Sequence, residues 1–128
     1  MKRINDGKII DRFLNDSDYK EQFSFDASKD TELFLAAPGE YIIKEGVRPE
    51  YLFYLCSGKA KLYMTLPDGR VNLIDFFSAP CFIGEMELIS EDNDVRAVQA
   101  LESCYCLGLP LRRYRKLLLE DPRFLRSL

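Results

Sequence analysis

Residues 51–77 read YLFYLCSGKAKLYMTLPDGRVNLIDFF, which is three apolar runs of strand length separated by two turn signals. Ser57-Gly58 follows the first run and Pro67-Asp68-Gly69 follows the second. Glycine supplies the positive φ that tight turns need, and Asp-Gly between two apolar runs is a strong signal for a β-hairpin. The stretch therefore predicts three consecutive antiparallel strands. We expect them at residues 51–56, 60–66 and 71–77.

Strand-like runs continue on both sides of this stretch. They occupy residues 33–37, 41–43, 95–101 and 104–109. Short strands joined by regularly spaced turns predict an antiparallel sandwich, roll or barrel. Residues 82–89, which read FIGEMELI, interrupt the strand pattern and predict a short helical turn beginning near Gly84. We expect an acidic loop at 91–94 after this turn.

Both ends of the chain show helical periodicity. Near the N-terminus, four apolar residues have the spacing of a short amphipathic helix, namely Ile9, Ile10, Phe13 and Leu14. After Pro110, apolar residues recur at i, i+3 and i+4, which predicts a second helix. Asp121-Pro122 has the pattern of an N-cap followed by proline at the first helical position, which predicts a third. We expect a helical and loop segment at 1–30, a β-roll at 31–110 and C-terminal helices at 111–128.

Composition limits the classes of function. The 128 residues fit one domain, and they contain no histidine. This excludes Ser-His-Asp and Cys-His catalysis and histidine-ligated metal sites, so we expect a non-enzymatic protein with no catalytic residue and no metal site. The net charge of -3 makes non-specific binding of nucleic acid unfavourable. Any contact with DNA would therefore need another segment.

The sequence also predicts a compartment. No stretch approaches the roughly 20 apolar residues that span a bilayer, and the N-terminal residues MKRIND become polar at once. We expect a cytoplasmic protein with no membrane partner. In the cytoplasm the four cysteines are expected to be reduced thiols.

An ordered set of short motifs resembles the sensor domain of the CRP/FNR family of bacterial transcription regulators over residues 32–128. The motifs are PGEYIIKEG at 38–46, YLCSG at 54–58, DGR at 68–70, FIGE at 82–85 and RA at 96–97. Residues 73–85 and 96–100 are particularly similar to the YeiL branch of that family. The resemblance implies a mainly β fold with flanking helices, a double-stranded β-helix (jelly roll) of the cyclic-nucleotide-binding type. It also implies a homodimer whose dimerisation helix starts in the last helix here, and a DNA-binding helix-turn-helix that these 128 residues lack.

The resemblance further implies a ligand site for a cyclic nucleotide. Gly84, Glu85 and Met86 would form its turn, Glu85 would hold a ribose hydroxyl, Arg96 the phosphate, and the Ala97 N–H would be a further donor. The residue types suit this chemistry, because glycine permits close backbone approach and a guanidinium can form paired hydrogen bonds with phosphate oxygens.

Two alternatives remain open at this site. Residues 84–96 contain five acidic residues against one arginine, and this charge disfavours an anionic ligand. The cavity could therefore accept a different effector. Alternatively, Glu85 and Arg96 could form an internal ion pair in a ligand-free structural dimer module.

The cysteines offer an alternative function. Cys104 and Cys106 lie two apart on a predicted strand and so share a face, which their offset from Leu109 indicates is the core face. Buried cysteine acts as a small apolar residue. The alternative is a redox or metal sensor that uses Cys81 with Cys104 or Cys106.

Overall fold

The computed structural model describes residues 1–90 and 94–128. Apart from Asp94, the predicted acidic loop at 91–94 lies outside the described residues. Within them the chain forms antiparallel strands in two sheets. The strands are β1 (Lys2–Ile4), β2 (Glu32–Ala36), β3 (Tyr41–Ile43), β4 (Tyr51–Ser57), β5 (Lys59–Thr65), β6 (Val71–Ser78), β7 (Cys81–Ile83), β8 (Ala97–Ala100) and β9 (Cys104–Pro110).

The order of the strands defines the fold. One sheet has the order β1-β2-β9-β4-β7 and the other has the order β3-β8-β5-β6. A cluster of buried apolar side chains from both sheets, including Leu55, Ile83 and Val98, fills the space between them. Strands β2 to β9 thus form the two facing four-stranded layers of a jelly roll, and β1 extends one layer. The predicted jelly roll with flanking helices is confirmed.

The hairpin that joins β5 to β6 forms where the sequence predicts it. At its turn the Leu66 N–H donates to the Arg70 carbonyl oxygen at 2.7 Å, and Gly69 has a φ of 86°. The pairing register shifts along the hairpin, from Tyr63 opposite Leu73 to Leu62 opposite Asp75. Ile74 is therefore the extra residue of a β-bulge, which changes the face on which the following side chains lie.

Four α-helices in the described part of the chain flank the sheets. They are α1 (Gly7–Asp16), α2 (Glu85–Ile89), α3 (Leu111–Leu119) and α4 (Pro122–Arg126). The Asp121 side chain accepts hydrogen bonds from the N–H groups of Phe124 and Ser24, so it caps α4 and also ties it to the N-terminal segment. The predicted N-cap and the predicted N-terminal helix are both confirmed. None of the helices in the described part of the chain is long and apolar enough to cross a bilayer.

A second apolar cluster lies between the helices and the five-stranded sheet. Fully buried Leu88 of α2, Leu118 of α3 and Phe124 of α4 all belong to it. The rings of Phe82 and Phe124 meet edge to face with centroids 5.2 Å apart. The three helices therefore contribute to one packed core.

Two short strands, β1 and β7, were not predicted. Each has three residues, and each depends on a partner distant in sequence, since Arg3 pairs with Phe34 and Phe82 pairs with Tyr54. Two of the three residues of β1 are charged, and β7 runs directly into the apolar residues of the predicted helical turn, so neither segment stands out as a separate apolar run. Only the long-range pairing identifies these segments as strands.

Candidate functional site

A cavity of about 190 Å³, which we call the α2 cavity, lies between the four-stranded sheet and the turn that leads from β7 into α2. It combines apolar walls with several charged side chains. Its lining residues are Ile43, Leu62, Asp75, Phe77, Gly84, Glu85, Met86, Glu87, Arg96 and Val98. Four of the five predicted site residues are among them. The fifth, Ala97, is buried in β8 beside Arg96 and does not line the cavity.

Gly84 makes the turn from β7 into α2. Its φ is 99°, in the left-handed region that favours glycine. A Cβ atom there would lie 3.5 Å from Ile43 Cδ1, which is an ordinary contact, so the backbone conformation and not crowding requires glycine. The Leu88 N–H donates to the Gly84 carbonyl oxygen at 3.2 Å. This turn places Glu85 and Glu87 at the cavity, while Met86 is 55% exposed.

Glu85 brings an unsatisfied acceptor to the α2 cavity. Its Oε2 atom is buried and has no hydrogen-bond partner among the described residues. Burial raises the pKa of Glu85 above its ordinary value, and the charge of Glu87 adds to this effect, while a backbone N–H opposes it. This backbone N–H does not offset the effect of burial, and Oε2 itself has no donor among the described residues.

Arg96 brings an unsatisfied donor to the same cavity. Its Nε atom is buried and, within the described part of the chain, has no hydrogen-bond partner. The ion pairs among the described residues join other groups, and no Arg96 nitrogen lies within 4.0 Å of a Glu85 oxygen. The bracing ion pair between Glu85 and Arg96 is therefore not formed, and space remains between the two groups.

Asp75 is a further charged group of the site that the sequence analysis missed. Leu62 pairs with Asp75 on one side and with Val98 on the other, so the three side chains lie on the face that lines the α2 cavity. Without the bulge at Ile74, that position opposite Leu62 would belong to Ile74. No sequence signal marks the bulge, because it depends on how β5 and β6 pair.

Glu85 also borders a neighbouring cavity of about 400 Å³, which we call the Leu128 cavity. Its lining includes Tyr54, Cys81, Ser127 and Leu128. The Tyr54 hydroxyl donates a short hydrogen bond to Asp18 at its edge. Two side chains, those of Phe77 and Glu85, border both cavities, and the Leu128 cavity in turn reaches the residues that follow α4.

The cysteines lie mainly in the core. Leu55 pairs with both Cys81 and Cys106, so these side chains share the face that points between the sheets. Cys104 and Cys106 are fully buried, which confirms the predicted core face, and all four thiols are free. Burial, with the charge of Glu85, raises the pKa of Cys81 to about 11, and burial likewise raises the pKa of Cys104 and Cys106.

These properties do not favour the redox or metal alternative. A thiol with a raised pKa is protonated near neutral pH and is a weak nucleophile and a weak metal ligand. Among the described residues, no group of three or more Cys, Asp or Glu side chains is placed to hold a metal ion.

The model of the cyclic nucleotide-binding domain family matches residues 34–121. The chain belongs to this family. It is 56% identical over 115 residues to the regulatory protein YeiL of Escherichia coli O157:H7, covering 90% of this chain and 52% of the length of that protein. This identity confirms the predicted similarity to the YeiL branch. The chain spans about half the length of that relative, so the activity of a whole regulator is a proposal here.

Two solved structures show the same fold. One is the sensor domain of the transcriptional regulator DNR from Pseudomonas aeruginosa, with a TM-score of 0.72 and 18% identity over 93% of this chain and 83% of that one. The other is the regulatory domain of Toxoplasma gondii PKA with cAMP, with a TM-score of 0.71 and 20% identity over 94% of this chain and 48% of that one. At these identities the likeness concerns the fold alone.

Proposed function

We propose that this chain is the effector-sensing module of a bacterial CRP/FNR-type transcription regulator, and that a small molecule in the α2 cavity is its signal. One observation carries the proposal: Glu85 and Arg96 line one cavity, and each has a buried polar atom, an acceptor and a donor respectively, that lacks a partner among the described residues. Leaving a buried polar group unsatisfied costs roughly 1–3 kcal/mol, so a fold retains two such groups at one place for a reason other than stability. A ligand that completes both is the reason we propose.

The packing of α2 supplies a route from the cavity to the C-terminal helices. Leu88 of α2 is fully buried in the same cluster as Leu118 and Phe124. Glu85 lies one turn earlier and also borders the Leu128 cavity. A ligand that draws Glu85 toward Arg96 therefore shifts α2, and α3 and α4 adjust. Such coupling requires that the ligand bind the two positions of α2 with different affinity.

In the intact regulator this shift would reach a dimerisation helix and a DNA-binding segment. The identity with YeiL, a longer regulatory protein, supports this part of the proposal. The regulator would act as a homodimer in the cytoplasm, without catalysis. The family and the cAMP-bound structural neighbour make a cyclic nucleotide the first ligand to test.

Filling the cavity by mutation tests the coupling without a known ligand. Leu62 is half-buried and lines the α2 cavity, so Leu62→Phe occupies part of the space that an effector would take. Leu73→Phe adds the same atoms to a side chain of the same hairpin that is 48% exposed, and it is the matched control. Hydrogen exchange of the 128-residue chain reports the response of each helix.

We expect Leu62→Phe to change the exchange of amides in α2, α3 and α4 while those of β1 and β2 keep their protection. Leu73→Phe should leave all of them unchanged. A uniform loss of protection throughout the chain would indicate general destabilisation by overpacking, and an effect confined to β5 and β6 would indicate that the cavity is not coupled to the helices. Either result would contradict the proposal.

A further inference from the structure

The charge of the α2 cavity does not suit a cyclic nucleotide. Among the described lining residues, three carboxyl groups, those of Asp75, Glu85 and Glu87, face one guanidinium, that of Arg96. Arg96 could hold a phosphate and Glu85 could hold a ribose hydroxyl. The two additional carboxyl groups, however, repel an anionic ligand, half-buried Glu87 more strongly than Asp75, which is exposed and therefore screened by solvent.

The size of the cavity is also too small for a cyclic nucleotide. Its volume of about 190 Å³ is below the roughly 300–1,000 Å³ of clefts that enclose drug-sized ligands, the class to which nucleotides belong. A molecule of a few heavy atoms fits it without rearrangement of the sheets. The apolar part of its wall, formed by Ile43, Leu62, Phe77 and Val98, suits a short aliphatic group.

The two side chains that carry the unsatisfied atoms would bind the polar ends of the ligand, and each would rotate to present its buried atom to the cavity. Glu85 Oε2 requires a hydrogen-bond donor, preferably cationic, and Asp75 adds negative charge to the same cavity. Arg96 Nε requires an acceptor, preferably a carboxylate. Because Glu85 and Arg96 are not paired with each other, one ligand can contact both. A ligand with both charges has no net charge, so the acidic lining does not repel it as it would a phosphate.

We infer that the effector is a small zwitterion, an α-amino acid with a short aliphatic side chain, whose carboxylate binds Arg96 and whose ammonium group binds Glu85. This inference rests on the proposed function, because it names the ligand class of the same cavity. It replaces the cyclic nucleotide that the resemblance implies.

Calorimetric titration of the 128-residue chain tests the inference with matched probes. The probes are L-alanine, L-valine, L-leucine and L-methionine. Isobutylamine is valine without its carboxylate, and isovalerate is valine without its amino group. Cyclic AMP is the anionic nucleotide. We expect at least one of the four amino acids to bind, and valine to bind more tightly than either of its two fragments and than cyclic AMP.

Two substitutions test which side chain binds which end of the ligand. Each charge-assisted hydrogen bond is expected to contribute ~10–100-fold in affinity. Arg96→Gln should weaken amino-acid binding by that factor and remove the advantage of valine over isobutylamine. Glu85→Gln should weaken it similarly and remove the advantage over isovalerate. Arg70→Gln, which changes an exposed arginine paired with Asp68 at the hairpin turn, is the matched control and should have no effect.

The outcomes separate this inference from the proposed function. Binding of cyclic AMP that Arg96→Gln abolishes, with no binding of the amino acids, overturns the zwitterion and retains the cavity as the effector site. If no probe binds at millimolar concentration while Leu62→Phe still alters amide hydrogen exchange in α4, the zwitterion is likewise overturned and the cavity is retained as the effector site. Amino-acid binding that neither Glu85→Gln nor Arg96→Gln weakens overturns the site assignment itself.

Discussion

Replacing Glu85 by methionine should make the isolated chain more stable. In the wild type the buried Oε2 atom has no partner among residues 1–90 and 94–128, and an unsatisfied buried polar group costs roughly 1–3 kcal/mol. Glu85 is also the first residue of α2, where a negative charge contributes about 0.3–1 kcal/mol through the helix dipole. Methionine has a similar length and removes both contributions. The net gain in the free energy of unfolding is therefore about 1–2 kcal/mol.

The pH dependence of this gain follows from the raised pKa of Glu85. Burial, reinforced by Glu87, disfavours the ionised carboxylate in the folded state. The part of the penalty that comes from burying the charge is absent well below the ordinary pKa of 4.5, where the carboxyl is neutral whether the chain is folded or not, and it is complete above the raised folded-state pKa. The advantage of Glu85→Met over the wild type should thus be smaller near pH 4.5 than at about pH 8, and the part that comes from the unsatisfied Oε2 atom should remain at both.

Urea denaturation and thermal melting at the two pH values measure the effect. For a chain of this length, the gain corresponds to a rise of roughly 3–10 °C in Tm near pH 8. Glu102→Met changes an exposed glutamate and should remain within about 0.5 kcal/mol of the wild type. If Glu85→Met is no more stable than the wild type at either pH, Glu85 is satisfied in solution, and the reasoning that makes the α2 cavity a ligand site is refuted.

Three further predictions follow from the packing. Asp121→Ala should cost about 1–2 kcal/mol by urea denaturation near pH 7, because it removes the cap of α4 and the acceptor for Ser24. Burial opposes ionisation of Asp121, but the hydrogen bonds that its carboxylate accepts outweigh burial and lower its pKa. The loss of stability in Asp121→Ala should therefore shrink as the pH falls below about 3.8. A loss that does not depend on pH would contradict this explanation. Leu88→Ala should lower the free energy of unfolding by about 2–5 kcal/mol and increase amide hydrogen exchange in α3 and α4. Ile89→Ala, at an exposed neighbouring position, should change the free energy of unfolding by less than about 1 kcal/mol. Equal effects of the two substitutions would mean that α2 is not packed as described. The four thiols should react slowly with DTNB in the folded chain at neutral pH, Cys106 slowest, and rapidly in denaturant; fast reaction of the folded chain would revive the redox alternative.

Local sequence signals were sufficient for most of the fold. The Asp68-Gly69 turn, the apolar runs around it and the Asp121-Pro122 helix start each depend on residues that are close together in the chain, and each forms as predicted. The ordered motifs around Gly84 and Arg96 were enough to identify the family. The short strands β1 and β7 were not predictable, because each becomes a strand only through a partner elsewhere in the chain.

The chemistry of the site was also predictable from the sequence only in part. The sequence by itself indicated that Gly84 would make a turn and that acidic residues would outnumber basic ones near it, and the family resemblance added Glu85 and Arg96 as residues of the site. Only the tertiary structure decided that Glu85 and Arg96 would stay unpaired, and that a bulge at Ile74 would bring Asp75 to the same cavity. The reason is that residue type fixes what a side chain can bind, whereas strand register and packing fix what lies within its reach.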